Sequence, residues 1–452
     1  MGASMDREMG KIKPAGLRIE QVPLGVLKLD ARNPRLHSDR QIKQIARSIA
    51  NFGFVVPALI DRDGKVLAGH GRIQAAKQLG LAEIPVIRLE HLSPEQARAF
   101  SIADNRLAEN STWDDRVLGE ILRELSLVEL DFDIEATGFT VGEIDLRIEG
   151  LSVVTGEGPD PDDQQAPQPD LPAVSRPGVL WQLDEHRLLC GSALKPASFE
   201  KLMAGKKGQL IFTDPPYNVA ITGHVSGLGR VRHREFVMGS GELTRDGFIG
   251  FLAQSFALLA ENSVSGSLHY ICIDWRHVGD MLRAGHEVYS ELKNIAVWVK
   301  DNAGMGSLYR SQHELVCIFK SGIARHRNNI ELGRHGRNRS NVWRYPGIND
   351  FGRQGEDGNL LALHPTIKPV RLVADAILDA SARRDIVLDP FLGSGSTLIA
   401  AERVGRVCYG IELDPLYIDT ALRRWQRLTG AAAIDAATGT PFDAVEQETM
   451  DV

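Results

Sequence analysis

Leu388 to Gly405 reads LDPFLGSGSTLIAAERVG, and an α/β fold follows from how this stretch is punctuated. An apolar run stops at the acid Asp389, a loop carrying Gly393, Ser394 and Gly395 follows, and a helix-forming run closes near Gly405. Glycines at such a loop let the backbone approach a ligand, and the free N–H groups of the helix start favour an anionic group. The next apolar run, Val407–Ile411, carries Glu412 at its tip. An acid about 20 residues beyond such a loop suits hydrogen bonds to ribose hydroxyls. The glycines alone fit a tight strand-to-helix turn equally well.

The surrounding chain alternates strand and helix signals, the mark of a doubly wound sheet. Strands are expected at Arg187–Cys190, Gln209–Thr213, Ser267–Ile273, Asn294–Lys300, Glu314–Lys320, Asp385–Asp389 and Val407–Ile411. Helices are expected over Phe248–Leu259 and from Pro369, where Val370, Val373, Ala374, Ile377 and Leu378 keep helical spacing.

A second stretch, Ile211–Val219, reads IFTDPPYNV. It too stands where a strand should end, which is where open α/β sheets bind ligands. An exocyclic amine on a base is a poor nucleophile because its lone pair is delocalised into the ring. Acceptors on its N–H bonds favour a more tetrahedral nitrogen. Asp214 supplies a carboxylate, Pro215 a carbonyl with no N–H beside it, Pro216 rigidity, and Tyr217 a ring on which a base can stack. Neither a metal nor a covalent nucleophile is called for.

The bulk properties agree with an ordinary globular protein of two or three domains: 452 residues, 43% hydrophobic, 25% charged, net charge −7. The negative balance argues against a uniformly basic coat and leaves room for a local basic patch. Cys190, Cys272, Cys317 and Cys408 form no C-x-x-C pair, so neither a zinc site nor a disulfide framework is expected. No apolar leader core or membrane-length run stands in the sequence, and a cytoplasmic protein with no membrane partner is expected.

The clearest seam is residues 151–177, rich in Pro, Asp and Gln, which reads as a disordered linker. Residues 431–452 carry acids and no Lys or Arg and read as a disordered tail. Before the seam, Ser38-Asp39-Arg40-Gln41 is a capping-box pattern opening a helix that ends at Gly53. Ala58–Ile60 and Val66–Ala68 flank the turn Asp61–Gly64, a helix opens near Arg72, a strand follows at Pro85–Leu89, and residues 94–150 look mainly helical.

Asp214–Tyr217, His364-Pro365-Thr366-Ile367-Lys368-Pro369, and Asp389–Gly395 followed by Glu412 together resemble the amino-methyltransferases of DNA. The order, with the Asp-Pro-Pro-Tyr box first and the glycine loop last, resembles their permuted β class, over roughly residues 178–430. The resemblance implies a Rossmann-like class I fold of seven strands, one antiparallel, that uses S-adenosyl-L-methionine. It implies that Phe391, Gly393, Gly395, Glu412 and Thr213 line the cofactor site, that Asp389 orients the glycine loop, and that His364 and Lys368 approach the methionine end. Many relatives carry an acid where this chain has Gly191-Ser192; Ser192 can accept a hydrogen bond but bears no charge.

The partner implied is double-stranded DNA, and a homodimer is compatible with the sequence. Between Arg325 and Arg353 stand seven arginines and two acids. Arg325, Arg327, Arg334, Arg337, Arg339 and Arg344 suit phosphate or guanine contacts, and Trp343 a stack or wedge, within a recognition region of about 323–360. A solvated basic loop around a core tryptophan is the blander reading. Arg230, Arg232 and Arg234 form a second basic run among glycines, either a loop over DNA or an ordinary surface loop.

Leu67–Leu81, LAGHGRIQAAKQLGL, with Asn33–Arg35 upstream, resembles the ParB/sulfiredoxin-like domain over about 17–110, followed by a helical extension over 111–150. Gly69, His70, Gly71 and Arg72 match that family's Gly-x-x-Arg box, a turn at a helix start that can meet a nucleotide phosphate or DNA, or serve only as a tight turn. No helix-turn-helix is legible after it, which weighs against a non-catalytic partition protein. Asp at the head of the box leans towards adenine N6 as the methyl acceptor, with cytosine N4 the alternative.

Overall fold

The computed structural model describes residues 17–30, 32–128, 130–151, 172–218, 241–301, 308–330, 339–345 and 368–450. The chain divides into two units, Met1–Ser152 and Val153–Val452.

In the first unit four strands form one sheet in the order β1-β4-β2-β3. They are β1 (Ile19–Pro23), β2 (Ala58–Ile60), β3 (Val66–Ala68) and β4 (Glu83–Arg88). The β2–β3 pair is the antiparallel hairpin expected around Asp61–Gly64. Helix Asp39–Phe52 starts where Ser38 Oγ accepts from Gln41 N at 3.2 Å and stops at Gly53, whose φ of 79° continues no helix. Only half of the capping box forms, because the Gln41 side chain meets His37 Nδ1 at 3.0 Å instead. Helices His70–Gln78, Pro94–Glu109, Asp115–Leu127 and Val141–Leu151 complete the unit.

The second unit is built on ten strands in the order β11-β9-β10-β8-β7-β12-β13-β6-β5-β14. They are β5 (Leu180–Leu183), β6 (His186–Cys190), β7 (Gly208–Thr213), β8 (Ser263–Ile273), β9 (Glu291–Val299), β10 (His313–Lys320), β11 (Val342–Arg344), β12 (Ile386–Asp389), β13 (Val407–Glu412) and β14 (Ile434–Asp435). The seven strands expected from the sequence form its contiguous middle, β9 to β6. Within it β10 runs antiparallel to both neighbours, while β6, β13, β12, β7 and β8 are mutually parallel. Strands β5, β11 and β14 extend the sheet at its edges.

Strand alternation divides the core. Leu210, Phe212 and Val387 face one layer with helices Val370–Ala380, Ser396–Arg403 and Pro415–Thr429. Ile211, Ile386 and Leu388 face the other, with helices Pro196–Met203, Arg245–Glu261 and Val278–Val288. Each fully buried Leu, Ile or Phe contributes about 1.5–3 kcal/mol by leaving water. Both faces are covered, so these strands read as continuous apolar runs. All four cysteines are buried free thiols. Among the described residues no helix is long and apolar enough to cross a membrane.

Two expectations are corrected. Residues 431–450 are not a disordered tail: β14 pairs with β5, and helix Phe442–Met450 follows. Phe442 is fully buried with its ring 5.4 Å from that of Trp181, and Arg423 pairs with Glu446 at 2.5 Å. A few well-spaced apolar residues anchor an otherwise acidic segment. The linker also ends earlier than expected. Val174 and Ser175 are buried, and their amides donate to Asp419 at 2.8 and 2.9 Å. Residues 152–171 lie outside the described residues.

Candidate active site

The parallel strands β6, β13, β12, β7 and β8 end at one edge of the sheet, and β12 and β7 are the neighbours at which the chain order reverses. Asp389 sits at that junction. Its Oδ1 accepts from Thr213 Oγ1 at 2.7 Å and from the Phe391 amide at 3.1 Å, and its Oδ2 accepts from Thr397 Oγ1 at 2.6 Å. One carboxyl therefore ties the end of β7 to the glycine loop and to the helix behind it. Burial pushes this carboxyl up to about 6, against the pull of its hydroxyl and amide donors. Thr213 is fully buried, so any part it plays at a cofactor runs through Asp389.

Gly393 and Gly395 differ in what they require. Gly393 has φ +54° and open space where a side chain would stand. Gly395 has φ +90°, and a Cβ there would lie 2.8 Å from Ala421 Cβ, so helix Pro415–Thr429 needs the glycine for its close approach. Arg424 Nη1, from that helix, donates to Ser394 O at 2.7 Å and fixes the loop. Glu412 faces the loop: Oε2 accepts from Gly393 N and Oε1 from Asp414 N, both at 2.8 Å. Burial pushes Glu412 up to about 7, against these amide donors. Ser396 Oγ, at the helix start, is buried without a hydrogen-bond partner. Phe391 is half-buried, its ring 5.8 Å from that of Phe251. Ser192, beyond β6, is half-buried and accepts from Leu194 N at 3.3 Å.

Beyond β7, Pro215 is buried and Asp214, Pro216 and Tyr217 are partly exposed. Tyr217 OH donates to Asp214 Oδ1 at 2.6 Å. Lys368 Nζ lies 2.5 Å from Asp214 Oδ2, 3.1 Å from Glu314 Oε2 and 3.2 Å from Tyr217 OH. Lys300 pairs with the other Glu314 oxygen. Lys368, expected to approach the methionine end of a cofactor, is buried, with its ammonium engaged by the Asp-Pro-Pro-Tyr loop. Burial works against charge at each of these groups. For Lys368 the two carboxylates overcome it and raise the ammonium well above its ordinary range. For Glu314 the two ammonium groups overcome it and hold the carboxyl down at about 2.

The basic region divides into structural and exposed arginines. Arg339 pairs with Asp379 at 2.8 Å and Asp375 at 3.3 Å, and its guanidinium lies 5.1 Å above the Trp343 ring. Trp343, on β11, is 6% exposed and packs near Tyr270. Neither side chain is free to reach DNA as expected; the sheet edge claims both. Arg325, Arg327 and Arg344 are exposed, with Arg327 3.9 Å from Asp385. Arg344 and Arg371 line a recess of about 420 Å³ with Arg339, Tyr345 and Asp375. Arg230, Arg232, Arg234, Arg334, Arg337 and His364 lie outside the described residues.

In the first unit, Gly69 has φ +95° and precedes helix His70–Gln78; a Cβ there would lie 3.3 Å from Ala58. Gly71 allows Ile45 and His37 to approach. Arg72 Nη2 donates to Pro57 O at 3.3 Å, and His70 is 7% exposed with Nε2 unpartnered. Burial lowers both His70 and Arg72.

Several site neighbours carry no sequence signal. Glu314 opens a strand, and Lys300 follows one, as surface charges would. Asn218 Oδ1 accepts from Gly241 N and Leu243 N, each at 3.1 Å, which ties the residue after Tyr217 to the approach of helix Arg245–Glu261. Its one clue is its place beside the Asp-Pro-Pro-Tyr box.

The glycine loop and the Asp-Pro-Pro-Tyr box thus meet at the switch point of a doubly wound sheet, where open α/β folds bind ligands. The DNA methylase model of the N6/N4 methyltransferases matches residues 209–423, and a ParB N-terminal domain model matches 11–106. Residues 209–423 therefore carry an N6/N4 DNA methylase domain, of a class that uses S-adenosyl-L-methionine, and a ParB-like domain precedes it in the sequence. A ParB-methyltransferase HTH domain model matches 117–177, which corrects the expectation that no helix-turn-helix follows. Helices Asp115–Leu127 and Val141–Leu151 pack through Leu118, Leu122 and Ile144, but a 3-10 turn, Ile134–Thr137, lies between them. That connection is longer than the short turn by which the motif is read from sequence.

Among curated proteins, the type II methyltransferase M2.MboI of Moraxella bovis is 28% identical over 235 residues, 49% of this chain and 81% of that protein. The ParB-like nuclease domain-containing protein YnaK of Escherichia coli (strain K12) is 45% identical over 80 residues, 18% of this chain and 92% of that protein. A crystal structure of M1.HpyAVI in complex with SAM is 22% identical, covers 52% of this chain and 98% of that one, and has a TM-score of 0.37.

Proposed function

We propose that this methylase modifies the N6 amine of adenine in double-stranded DNA, on a base turned out of the duplex. The observation that carries the reading is Asp389, whose carboxyl is hydrogen-bonded both to the end of the Asp214 strand and to the glycine loop. It couples an amine-acceptor box to a nucleoside-type site. The residues present suit S-adenosyl-L-methionine: open space at Gly393, the Glu412 carboxylate for ribose hydroxyls, and the unpartnered Ser396 hydroxyl. The cofactor, when bound, supplies an electrophilic methyl group.

The chain's own residues do the rest. Asp214 and the Pro215 carbonyl accept the amine's N–H bonds and direct its lone pair. Tyr217 offers its ring to the base, worth about 1–3 kcal/mol in stacking. Turning the base out costs a few kcal/mol, which DNA contacts offset. The nitrogen's surplus proton passes to an Asp214 oxygen after transfer. Most of the rate comes from orientation of two bound partners. Asp214 at the head of the box supports adenine over cytosine. Exposed Arg325, Arg327 and Arg344 suit DNA phosphates. The turn at Gly69–Arg72, with an unpartnered His70 nitrogen, suits a nucleotide or DNA phosphate. The four reduced thiols suit the cytoplasm.

The test is to incubate the protein with unmethylated DNA and labelled S-adenosyl-L-methionine, digest, and identify the labelled nucleoside. N6-methyladenine is expected, and Asp214→Ala should abolish the label while cofactor binding persists. Label on N4-methylcytosine overturns the adenine assignment. Transfer surviving in Asp214→Ala overturns the role of the box.

A further inference from the structure

Asp214 is not an isolated carboxylate at the sheet edge. Strand directions bring four charged side chains together: Asp214 follows β7, Lys300 follows β9, Glu314 opens the antiparallel β10, and Lys368 precedes helix Val370–Ala380. Two ammonium groups and two carboxylates make the cluster neutral, which is the condition for keeping ions in a largely water-excluded place.

The hydrogen bonding is directional. An ammonium has three N–H donors, and among the described residues Lys368 reaches Asp214 Oδ2, Glu314 Oε2 and Tyr217 OH. Asp214 is gripped at both oxygens, by Lys368 on Oδ2 and Tyr217 OH on Oδ1. Lys300 holds the far Glu314 oxygen and lies 4.6 Å from the centre of the Trp298 ring. Glu314 cannot turn away, and Lys368 cannot leave Asp214 without abandoning Glu314.

We propose that Lys368 is a positioning residue that keeps the Asp214 carboxylate ionised and fixed in orientation, so that its remaining lone pairs face the target amine, and that Glu314, itself held by Lys300, fixes Lys368 in place. This rests on the reading of Asp214 as the amine acceptor. A protonated Asp214 would present an O–H towards the amine and forfeit an acceptor. Burial and Glu314 both push Asp214 towards that neutral form, and Lys368 is the cation that opposes them. The other titratable groups facing the cluster are Tyr217, the Cys272 thiol on β8 and Asp389 on β12. Among the described residues none of these supplies a positive charge.

The decisive variant is Lys368→Met, studied in the full chain by single-turnover transfer from pH 5.5 to 9.5, with cofactor Kd measured separately. The expected result is a rate at least about 100-fold lower at pH 7 that recovers as pH rises, its acid limb displaced upwards by more than about one unit, with the cofactor Kd unchanged. Glu314→Gln is the milder variant: kcat falls about tenfold with KM for DNA and cofactor Kd unchanged, and Glu314→Asp restores part of it. A Lys368→Met profile superimposable on wild type, or a cofactor Kd weakened in step with the rate, overturns the proposal. Should Lys368→Met not fold, an unchanged kcat in Glu314→Gln overturns it equally. Asp214→Ala separates the two levels: loss of transfer there with normal profiles in the other variants sinks the positioning role alone.

Discussion

Asp389 shows how one side chain can be both brace and burden. It satisfies three donors, yet it is 3% exposed and its carboxyl sits near 6 against an ordinary 3.8. The folded state therefore holds a proton more tightly than the unfolded chain. The stability this lends is fully present below about pH 4 and is lost as pH rises through 6, a swing on the order of 3 kcal/mol. Thermal melts of wild type and Asp389→Asn between pH 4.5 and 8 should show the variant losing the part of the pH slope that falls between 4 and 7. Parallel slopes would contradict the assignment. The position of Asp389 was legible in LDPFLGSG, because an acid ending an apolar run before glycines is a local pattern. Its partner Thr213 was legible as a strand end but not as a donor, since nothing in the sequence says which strands are neighbours.

Among elements, β11 is where the sequence misled. An arginine-rich segment reads as a DNA-facing surface, but a three-residue strand, Val342–Arg344, adds parallel to β9 and turns Trp343 inward. Arg339 follows Trp343 into the edge to neutralise Asp379 and Asp375, which stand on helix Val370–Ala380. Arg344, one residue beyond Trp343, points the other way and is exposed, as strand alternation requires. The two arginines should behave differently. Arg339→Ala should cost about 3–5 kcal/mol in denaturant unfolding, because it takes the cation from a buried carboxylate. Arg344→Ala should leave unfolding unchanged and reduce the slope of log affinity for DNA against log salt by about one. Equal effects of both on DNA binding, with neither altering stability, would return β11 to the recognition surface. The Ser38-capped helix start and the β2–β3 hairpin were read correctly because caps and turns are local chemistry, whereas helix Arg245–Glu261 starts three residues before the expected Phe248, at its Thr244 cap.

The second unit owes its extent to residues that composition dismissed. After Gly430 the chain is acidic, but β14 extends the sheet beyond β5 and Phe442 covers Trp181. Phe442→Ala should lower the unfolding free energy by about 3–5 kcal/mol, and truncation after Gly430 should lower the melting temperature further; a silent truncation would restore the reading of a disordered tail. Local periodicity and punctuation sufficed for the positions of the seven central strands along the chain, the glycine loop, the Asp-Pro-Pro-Tyr box and the two-unit plan, since each depends on neighbours within a few residues. Which charges meet did not follow from them. Asp214 and Lys368 are 154 positions apart, and Glu314 and Lys300 look like surface residues until strand order sets them side by side. Burial then decides the rest, because an ion removed from water must find its counter-ion in space, and the fold alone determines where that counter-ion stands.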